Sequence, residues 1–356
     1  MEKTNAQLFI INSICKMKIR KLFFYLILMI LSGCNYYDGV LSDHYDGSSF
    51  YNEENDEHSI GDMIKWYWEM DSVEWPEWID DVMQPPPPKF VDRNDLRVTL
   101  INQSTVLIQL DSINILTDPI WSDYAGPVSF LSANRIRKPG ISLDDLPPID
   151  IILISHDHYD HLDFPTLEQL LIKNKPIILT GLGNKSRLSS LEYEQVVELD
   201  WWQNYSFQSK DIDFTFVPCR HRSGRSLFDG SKTLWGGFVI KTNAGNILFM
   251  GDTAFGNFFN EVAKKFSPFR LTIFPIGSYE KRWFMKNQHM NPEDAVQAHI
   301  ILNSKQSMGV HYATFNEHPE QSIDAHEKDL AEALNKYNIP EDKFWILKFG
   351  EGRNVD

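Results

Sequence analysis

The chain has 356 residues, of which 42% are hydrophobic and 23% charged, enough for one large domain or two ordinary ones with full cores. Its formal net charge of −15 argues against nucleic acid as a partner, because phosphate backbones are bound through basic patches. A phosphate-bearing small molecule or lipid stays compatible with this charge, since bound metal cations reverse the local field. The cysteines Cys15, Cys34 and Cys219 are too few for a disulfide framework.

A basic start and an apolar run precede the second cysteine. Residues 17–34 read MKIRKLFFYLILMILSGC, and the apolar part is shorter than the ~20 residues of a membrane span but suits the core of a signal peptide. The ending LSGC resembles a bacterial lipobox, which implies lipidation at Cys34 and a membrane-anchored lipoprotein on the exported side, periplasmic or outer-membrane. An ordinary cleaved signal or a short anchor is the alternative. Met17 begins the pattern and is an alternative start of translation.

Two segments without strand pattern follow. Residues 35–62 are polar and acidic with no apolar period, which predicts a flexible tether from the membrane to the domain. Residues 63–95 carry four tryptophans and the run PPPP, which predict a helix and then a proline-rich segment. The tryptophans either contact lipid or pack on the domain. The proline run is either a stiff connector or a recognition segment for a partner.

The remaining residues, 96–356, are predicted to form one domain of strands and helices. LRVTLI, TVLIQL and INILTD predict an antiparallel meander, and the continuous apolar run IDIILIS predicts a strand buried on both faces. Asn291 before Pro292 predicts the N-cap of a helix. Helices are predicted in FPTLEQLLIK, GNFFNEVAKKF, PEDAVQAHIIL and SIDAHEKDLAEALNKYN, and further strands in PIILT, DIDFTFVPC, LWGGFVIKT, NILFMGD, LTIFPI, SMGVHY and DKFWILKFG.

The motif HDHYDH follows the predicted buried strand directly. Imidazole nitrogens and carboxylates are the natural ligands of Zn²⁺ and similar divalent ions. His156 and His158 alternate and can share one ion, while Asp160 and His161 are well placed for a second. Because one loop cannot complete two sites, further ligands must come from later in the chain. Three candidates each follow a predicted strand: His221, Asp252 and His311.

H-x-H-x-D-H followed by distant His, Asp and His resembles the metallo-β-lactamase superfamily of binuclear metallohydrolases. LTDPIW, LPPIDIILISHDHYDHLD, GDTAFG and FPIGSYEKRWFMKNQHMNPEDAV are similar to its branch of N-acyl-phosphatidylethanolamine-hydrolysing phospholipases D, over about residues 62–350. The resemblance implies an α/β (α+β) fold, an αββα sandwich with two Zn²⁺ or other divalent ions at one edge. It assigns the first ion to His156, His158 and His221, the second to Asp160, His161 and His311, and a bridging role to Asp252.

The implied reaction is hydrolysis of a phosphodiester by a metal-bridging hydroxide. The substrate would be an N-acyl-phosphatidylethanolamine at a membrane surface. Its cleavage would yield phosphatidic acid and N-acylethanolamine. Asp160, Asp252 and His289 are the expected catalytic residues, with Asp160 as a candidate proton shuttle. Tyr159, Gln288 and His289 are expected to contact substrate. Alternatives are a lactonase or a soluble-phosphodiester hydrolase of the same fold, and a non-catalytic lipoprotein that only binds.

One turn departs from the family. The usual Gly-His-Ala/Ser-Thr/Ser after the first strand is here Asn102-Gln103-Ser104-Thr105. Gln103 replaces a histidine that is not a ligand, so the metal site is expected to survive, and what this position contacts is left open. Cys219 is expected to be a small buried residue. Protein partners and the oligomeric state are left open, and so is whether nearby arginines attract phosphate or form an ordinary surface loop: Arg220, Arg222 and Arg225.

Overall fold

The computed structural model describes residues 36–52, 58–71, 73–208, 210–226, 228–316 and 320–356. The predicted signal segment, with Cys15, Met17 and the predicted lipidation site Cys34, lies outside these residues. Among the helices in the described ranges, none is both long enough and apolar enough to cross a membrane.

The strands form two seven-stranded sheets and a small hairpin. In chain order they are β1 (Leu96–Asn102), β2 (Thr105–Leu110), β3 (Ile113–Thr117), β4 (Tyr124–Ala125), β5 (Ala133–Asn134), β6 (Ile151–Ile154), β7 (Ile177–Gly181), β8 (Val196–Leu199), β9 (Asn204–Phe207), β10 (Ile212–Val217), β11 (Gly237–Thr242), β12 (Gly245–Phe249), β13 (Phe269–Pro275), β14 (Ser304–Val310), β15 (Phe344–Trp345) and β16 (Gly352–Asn354). The first sheet has the order β16-β1-β2-β3-β6-β7-β8, and the second the order β15-β14-β13-β12-β11-β10-β9.

Several of the helices pack on the sheets. The helices are α1 (Ile60–Trp68), α2 (Phe164–Lys173), α3 (Asn184–Arg187), α4 (Phe258–Phe266), α5 (Arg282–Met285), α6 (Pro292–Ile301) and α7 (Ala325–Tyr337). One apolar cluster joins the inner faces of the sheets and extends to α4, α6 and α7. A second cluster lies between the first sheet and α2. This layering confirms the predicted αββα sandwich of the α+β class.

Strand direction brings several loops to one edge. In the first sheet, β3, β6 and β7 are parallel. In the second, β12, β13 and β14 are parallel, and β10 runs with them because β11 is antiparallel to both β10 and β12. The carboxyl ends of parallel strands meet at the same edge of a sheet, where loops carry functional residues on a rigid scaffold.

Most of the predicted elements are confirmed. The meander β1-β2-β3 is antiparallel, and β6 is fully buried. Asn291 caps α6 in a capping box with Asp294. The strand predicted in DKFWILKFG is wrong beyond Trp345. There the carbonyl of Leu347 accepts a hydrogen bond from the Tyr312 hydroxyl, so this buried backbone is satisfied by a side chain instead of a strand ladder.

The segment before α1 lies against the domain. The flexible tether predicted for residues 35–62 is wrong for residues 36–52, because Tyr45 and Phe50 are each 2% exposed and belong to the main core. The Phe50 N–H also donates a hydrogen bond of 2.8 Å to the Ser231 carbonyl. Two aromatic side chains anchor a turn-rich segment without creating any apolar period, so the sequence pattern gave no signal.

Two tryptophans of the extension pack on the domain, which is one of the roles that the sequence left open. The ring N–H groups of Trp66 and Trp75 donate to Glu320 and to the Gln321 carbonyl, at 2.9 and 2.7 Å, so both residues pack on the domain. Trp68 is 81% exposed.

The proline run lies along the first sheet. Gln109 of β2 donates to the Pro88 carbonyl at 2.8 Å, and Asn114 of β3 donates to the Lys89 carbonyl at 3.1 Å. These contacts favour a stiff connector over a recognition segment for a partner.

Candidate metal centre

The predicted ligands meet at the edge formed by the carboxyl ends of the strands. The loop after β6 carries His156, His158, Asp160 and His161. The other three follow β10, β12 and β14 respectively: His221, Asp252 and His311. The structure therefore brings together all seven residues that the sequence singled out.

The seven side chains form two adjoining groups. Ligand atoms of His156, His158 and His221 lie within 4.8 Å of one another, and so do those of the second group, made of Asp160, His161, Asp252 and His311. Oδ2 of Asp252 lies 3.2 Å from Nε2 of His311 and 3.3 Å from Nε2 of His161. It also lies 3.9 Å from Nε2 of His221, in the first group. Asp252 thus stands between the groups, as a bridging ligand would.

Buried polar atoms at the junction suit metal ions. Among the described residues, Oδ1 of Asp252 and Nε2 of His161 are buried without a hydrogen-bond partner. Such atoms are costly to bury unless a cation binds them. Imidazole nitrogen and carboxylate oxygen are donors that zinc and related transition metals accept. The residues present therefore fit two divalent ions.

The two groups differ in charge. Burial lowers the pKa of His158 to about 4 and that of His221 to about 3, so the first group offers neutral imidazoles at neutral pH. Burial also disfavours charge on His311, but the Asp252 carboxylate and a hydrogen bond to Asp160 raise its pKa to about 10. The second group thus lies in a field that stabilises positive charge, which favours a dication.

Asp118 orients one ligand, a role the sequence analysis missed. Its Oδ2 lies 2.7 Å from Nδ1 of His161, which directs Nε2 of that ring into the second group. The N–H of Ser155 donates to Oδ1 of the same carboxylate at 2.7 Å. The available signal was position, because Asp118 follows β3 and β3 lies beside β6, the strand that carries the motif. Gly251 lets the loops approach, since its φ is +61° and a Cβ there would lie 2.3 Å from that of Ser155.

His289 lies beside the two ligand groups. It is 8% exposed, and its Nδ1 lies 3.8 Å from Oδ2 of Asp252. The carbonyl of Gln288 accepts a hydrogen bond from Nδ1 of His221 at 3.0 Å, so the main chain of Gln288 orients a ligand while its side chain is half-buried. Arg220 holds this loop by donating to Oδ1 of Asn287 at 3.1 Å.

Two other predicted positions have structural partners. The guanidinium of Arg225 lies 3.7 Å from the ring centroid of Tyr159 and donates to the Leu162 carbonyl at 2.7 Å. Arg225 therefore braces the motif loop and is not part of an ordinary surface loop, and Tyr159 is half-buried beneath it. Cys219 is buried as expected, and because burial raises the pKa of its thiol it is unsuited to act as a nucleophile.

Residues 113–312 match the family model described as the beta-lactamase superfamily domain, which is more than half of the chain. The chain belongs to the metallo-β-lactamase superfamily. Within this superfamily it is similar to N-acyl-phosphatidylethanolamine-hydrolyzing phospholipase D 1 of Caenorhabditis elegans, with 34% identity over 235 residues, 64% of this chain and 66% of that protein. It is 32% identical over 263 residues to the mitochondrial N-acyl-phosphatidylethanolamine-hydrolyzing phospholipase D of Saccharomyces cerevisiae, 72% of this chain and 56% of that protein. The matched region thus spans less than two thirds of each relative's length.

A solved structure shows the same superfamily fold at low sequence identity. Igni18, a metallo hydrolase of the archaeon Ignicoccus hospitalis, superimposes with a TM-score of 0.56 over 74% of this chain and 99% of that one. Its sequence identity of 17% supports the fold alone. The resemblance stated from the sequence, to the superfamily and to its phospholipase D-like branch, is confirmed.

Proposed function

We propose that the chain is a metal-dependent hydrolase with two divalent ions, zinc by the chemistry of its ligands. Its substrate is the distal phosphodiester of an N-acyl-phosphatidylethanolamine-like lipid, and its products are phosphatidic acid and an N-acylethanolamine. The observation that carries this proposal is the pair of His/Asp groups joined by Asp252, with His289 beside the junction. The names of the worm and yeast relatives supply the substrate class.

The residues of the chain divide the work. Two ions bound here would lower the pKa of a water molecule, polarise the phosphoryl oxygen and stabilise the developing charge. Asp252 holds the two ligand groups together, and Asp118 fixes the ring of His161. His289 lies beside the junction and Gln288 precedes it in the chain, and their imidazole and amide groups suit a phosphate group. Asp160 stays a predicted proton shuttle. Its Oδ2 lies 2.9 Å from the amide nitrogen of Gln103 and 3.0 Å from Nε2 of His311, a ligand atom of the same group. This position favours a role for Asp160 as a metal ligand.

An exposed apolar surface on helix α1 supports a lipid substrate. Helix α1 exposes four large side chains: Met63 at 56%, Ile64 at 54%, Tyr67 at 70% and Trp68 at 81%. On its other side, Trp66 stacks on Phe284 at 5.0 Å, in the segment that leads to His289. Aromatic and aliphatic groups of this kind insert at the lipid–water boundary. Lipidation at Cys34 on the exported side of a bacterial membrane belongs to the same proposal and would keep this surface near phospholipid.

A comparison of three substrates tests the proposal. The metal-loaded chain is assayed with an N-acyl-phosphatidylethanolamine in mixed micelles, with bis-p-nitrophenyl phosphate and with an acyl-homoserine lactone. We expect phosphatidic acid from the lipid and loss of that activity in His158→Ala. Turnover of the lactone or of the soluble diester alone would replace the substrate class while keeping a hydrolase. A metal-loaded chain inactive on every substrate would favour the binding module.

A further inference from the structure

Gln103 contacts two members of the second ligand group at once. Its side-chain Nε2 donates a hydrogen bond of 2.9 Å to Oδ2 of Asp160. Its main-chain carbonyl accepts a hydrogen bond of 2.9 Å from the N–H of His311. Asp160 belongs to the loop after β6 in the first sheet, and His311 follows β14 in the second. The turn between β1 and β2 therefore links the two sheets at the point where both supply a ligand.

The main chain around Gln103 is fixed in an uncommon conformation. The φ angle of Gln103 is +41° and that of His311 is +63°, both in the left-handed region that side chains disfavour. Residues in this region are strained and persist where their surroundings hold them. Here the Gln103 N–H donates to Oγ1 of Thr314 at 2.9 Å, and Gln103 is 3% exposed. The amide is thus presented to Asp160 from a locked turn.

We propose that Gln103 is a positioning residue for the second metal ion. Its amide holds the carboxylate of Asp160 while its carbonyl holds the main chain of His311, so that both ligands face one ion. The proposal rests on the two-ion centre of the proposed function but not on the lipid substrate.

The neutral amide is suited to this role. It donates a hydrogen bond without adding charge, so the negative charge of Asp160 stays available to a cation. A histidine at this position, the residue usual in the family, is also an N–H donor. The departure at Gln103 therefore keeps the donor and changes the group that carries it.

The effect is expected to be confined to the second ion. The first group is oriented by other partners, since Nδ1 of His221 faces the Gln288 carbonyl at 3.0 Å and Nδ1 of His156 faces Oγ of Ser155 at 2.9 Å. The hydrogen bonds of Gln103 found in the described chain go to Asp160, His311 and Thr314. Removal of the amide should leave metal binding at the first group unchanged.

Stepwise metal binding tests the proposal without any substrate. Co²⁺ is titrated into the metal-free full chain, and its visible absorption resolves the binding steps. Gln103→Met keeps the length of the side chain and removes the donor. Gln103→Gly also removes it and accepts the left-handed φ, which guards against misfolding. Gln103→His restores an N–H donor. The matched control is Gln109→Met, another buried glutamine, whose amide instead donates to Pro88 and Asn114.

We expect the binding step of the second ligand group to weaken by about 10- to 100-fold in Gln103→Met and Gln103→Gly and to recover in Gln103→His, as in other proteins when an outer partner of a ligand is removed. The other binding step should stay unchanged, and Gln109→Met should keep both. Two unchanged steps, or equal weakening of both, would overturn the positioning role. A wild-type chain that binds fewer than two ions would instead contradict the two-ion centre of the proposed function.

Discussion

Nδ1 of His161 lies 2.7 Å from Oδ2 of Asp118, and both side chains are wholly buried. An ionised carboxylate accepts hydrogen bonds and donates none, so Asp118 in this form fixes the proton on Nδ1 of His161 and leaves Nε2 for a metal ion. We expect Asp118→Asn to lower the affinity for the ion of the second group by about 10- to 100-fold. Metal competition with a chelator measures this change. The control is Asp157→Asn, because Asp157 is equally buried but pairs with Arg187 at 2.7 Å. Equal metal loss in both variants would contradict the orienting role.

Substitution of Asp252 and substitution of His158 should remove different numbers of metal ions. Asp252 faces both groups, whereas His158 belongs to the first. We therefore expect Asp252→Ala to lose both ions and His158→Ala to keep the second. Activity should fall in Asp252→Ala by more than the roughly 10²- to 10³-fold that loss of a single transition-state donor causes. Metal analysis of both purified variants checks the first expectation. Two ions retained in Asp252→Ala would refute the bridging assignment.

His289 is expected to act on substrate and not on metal. Its Nδ1 lies 3.8 Å from Oδ2 of Asp252. His289 also lies within 4.8 Å of ligand atoms of His221 and Asp252, but the two main groups are formed by the seven other residues. His289→Ala should lower kcat/KM for phosphodiesters by roughly 10²-fold, as removal of one donor to a developing charge does. Metal content should stay at the wild-type level. A variant that loses an ion together with its activity would identify His289 as a ligand.

The docked N-terminal segment predicts a pH-dependent stability. Burial disfavours charge on His44, but hydrogen bonds to Asp200 and Asp43, at 2.6 and 2.7 Å, raise its pKa above the usual 6.5 of a histidine. A raised folded pKa gives stability that is present below the unfolded pKa and is lost as pH rises through the folded pKa.

The change that tests this is His44→Gln. We expect it to lower the free energy of unfolding by about 1.5–3 kcal/mol near pH 5.5, with a smaller loss at higher pH. Urea unfolding of the metal-loaded chain at several pH values measures the difference. Asp43→Asn should cost less, because the Asp43 side chain is 92% exposed. A loss that grows with pH would contradict the ion pair with Asp200.

The exposed face of α1 should matter only for a membrane substrate. Trp68 and Ile64 are 81% and 54% exposed, and each contributes about 1.5–3 kcal/mol when its side chain is fully buried in an apolar phase. We expect Ile64→Ser with Trp68→Ser to weaken vesicle binding and to slow hydrolysis of lipid in vesicles. Turnover of bis-p-nitrophenyl phosphate should be unchanged. Equal slowing with both substrates would point to a folding defect and not to lipid contact.

The sequence predicted the elements whose pattern is local. Apolar runs gave β6 and α2, and Asn291 gave the start of α6. Ligands at strand ends followed from the motif, because His156 and its neighbours directly succeed a buried strand. The pairing of strands into two sheets came from family resemblance, since period and composition do not specify which strands are neighbours.

Contacts between distant segments could not be predicted from pattern. Tyr45 and Phe50 anchor the N-terminal segment with no periodic signal, and Gln103 reaches Asp160 across 57 positions of the chain. The link between Asp118 and His161 has the same origin, because a partner of a ligand is identified only once the two strands are known to be adjacent. Such contacts depend on tertiary packing, which a single sequence does not reveal.

Activity as a function of bound metal tests the central claim most directly. The metal-free chain is titrated with Zn²⁺ while the release of phosphatidic acid from an N-acyl-phosphatidylethanolamine is followed. We predict that activity is absent without metal, rises to its maximum at about two ions per chain, and is lost in Asp252→Ala at any zinc concentration. A chain that is fully active without metal, or one that binds two ions and leaves the lipid intact, would contradict the account.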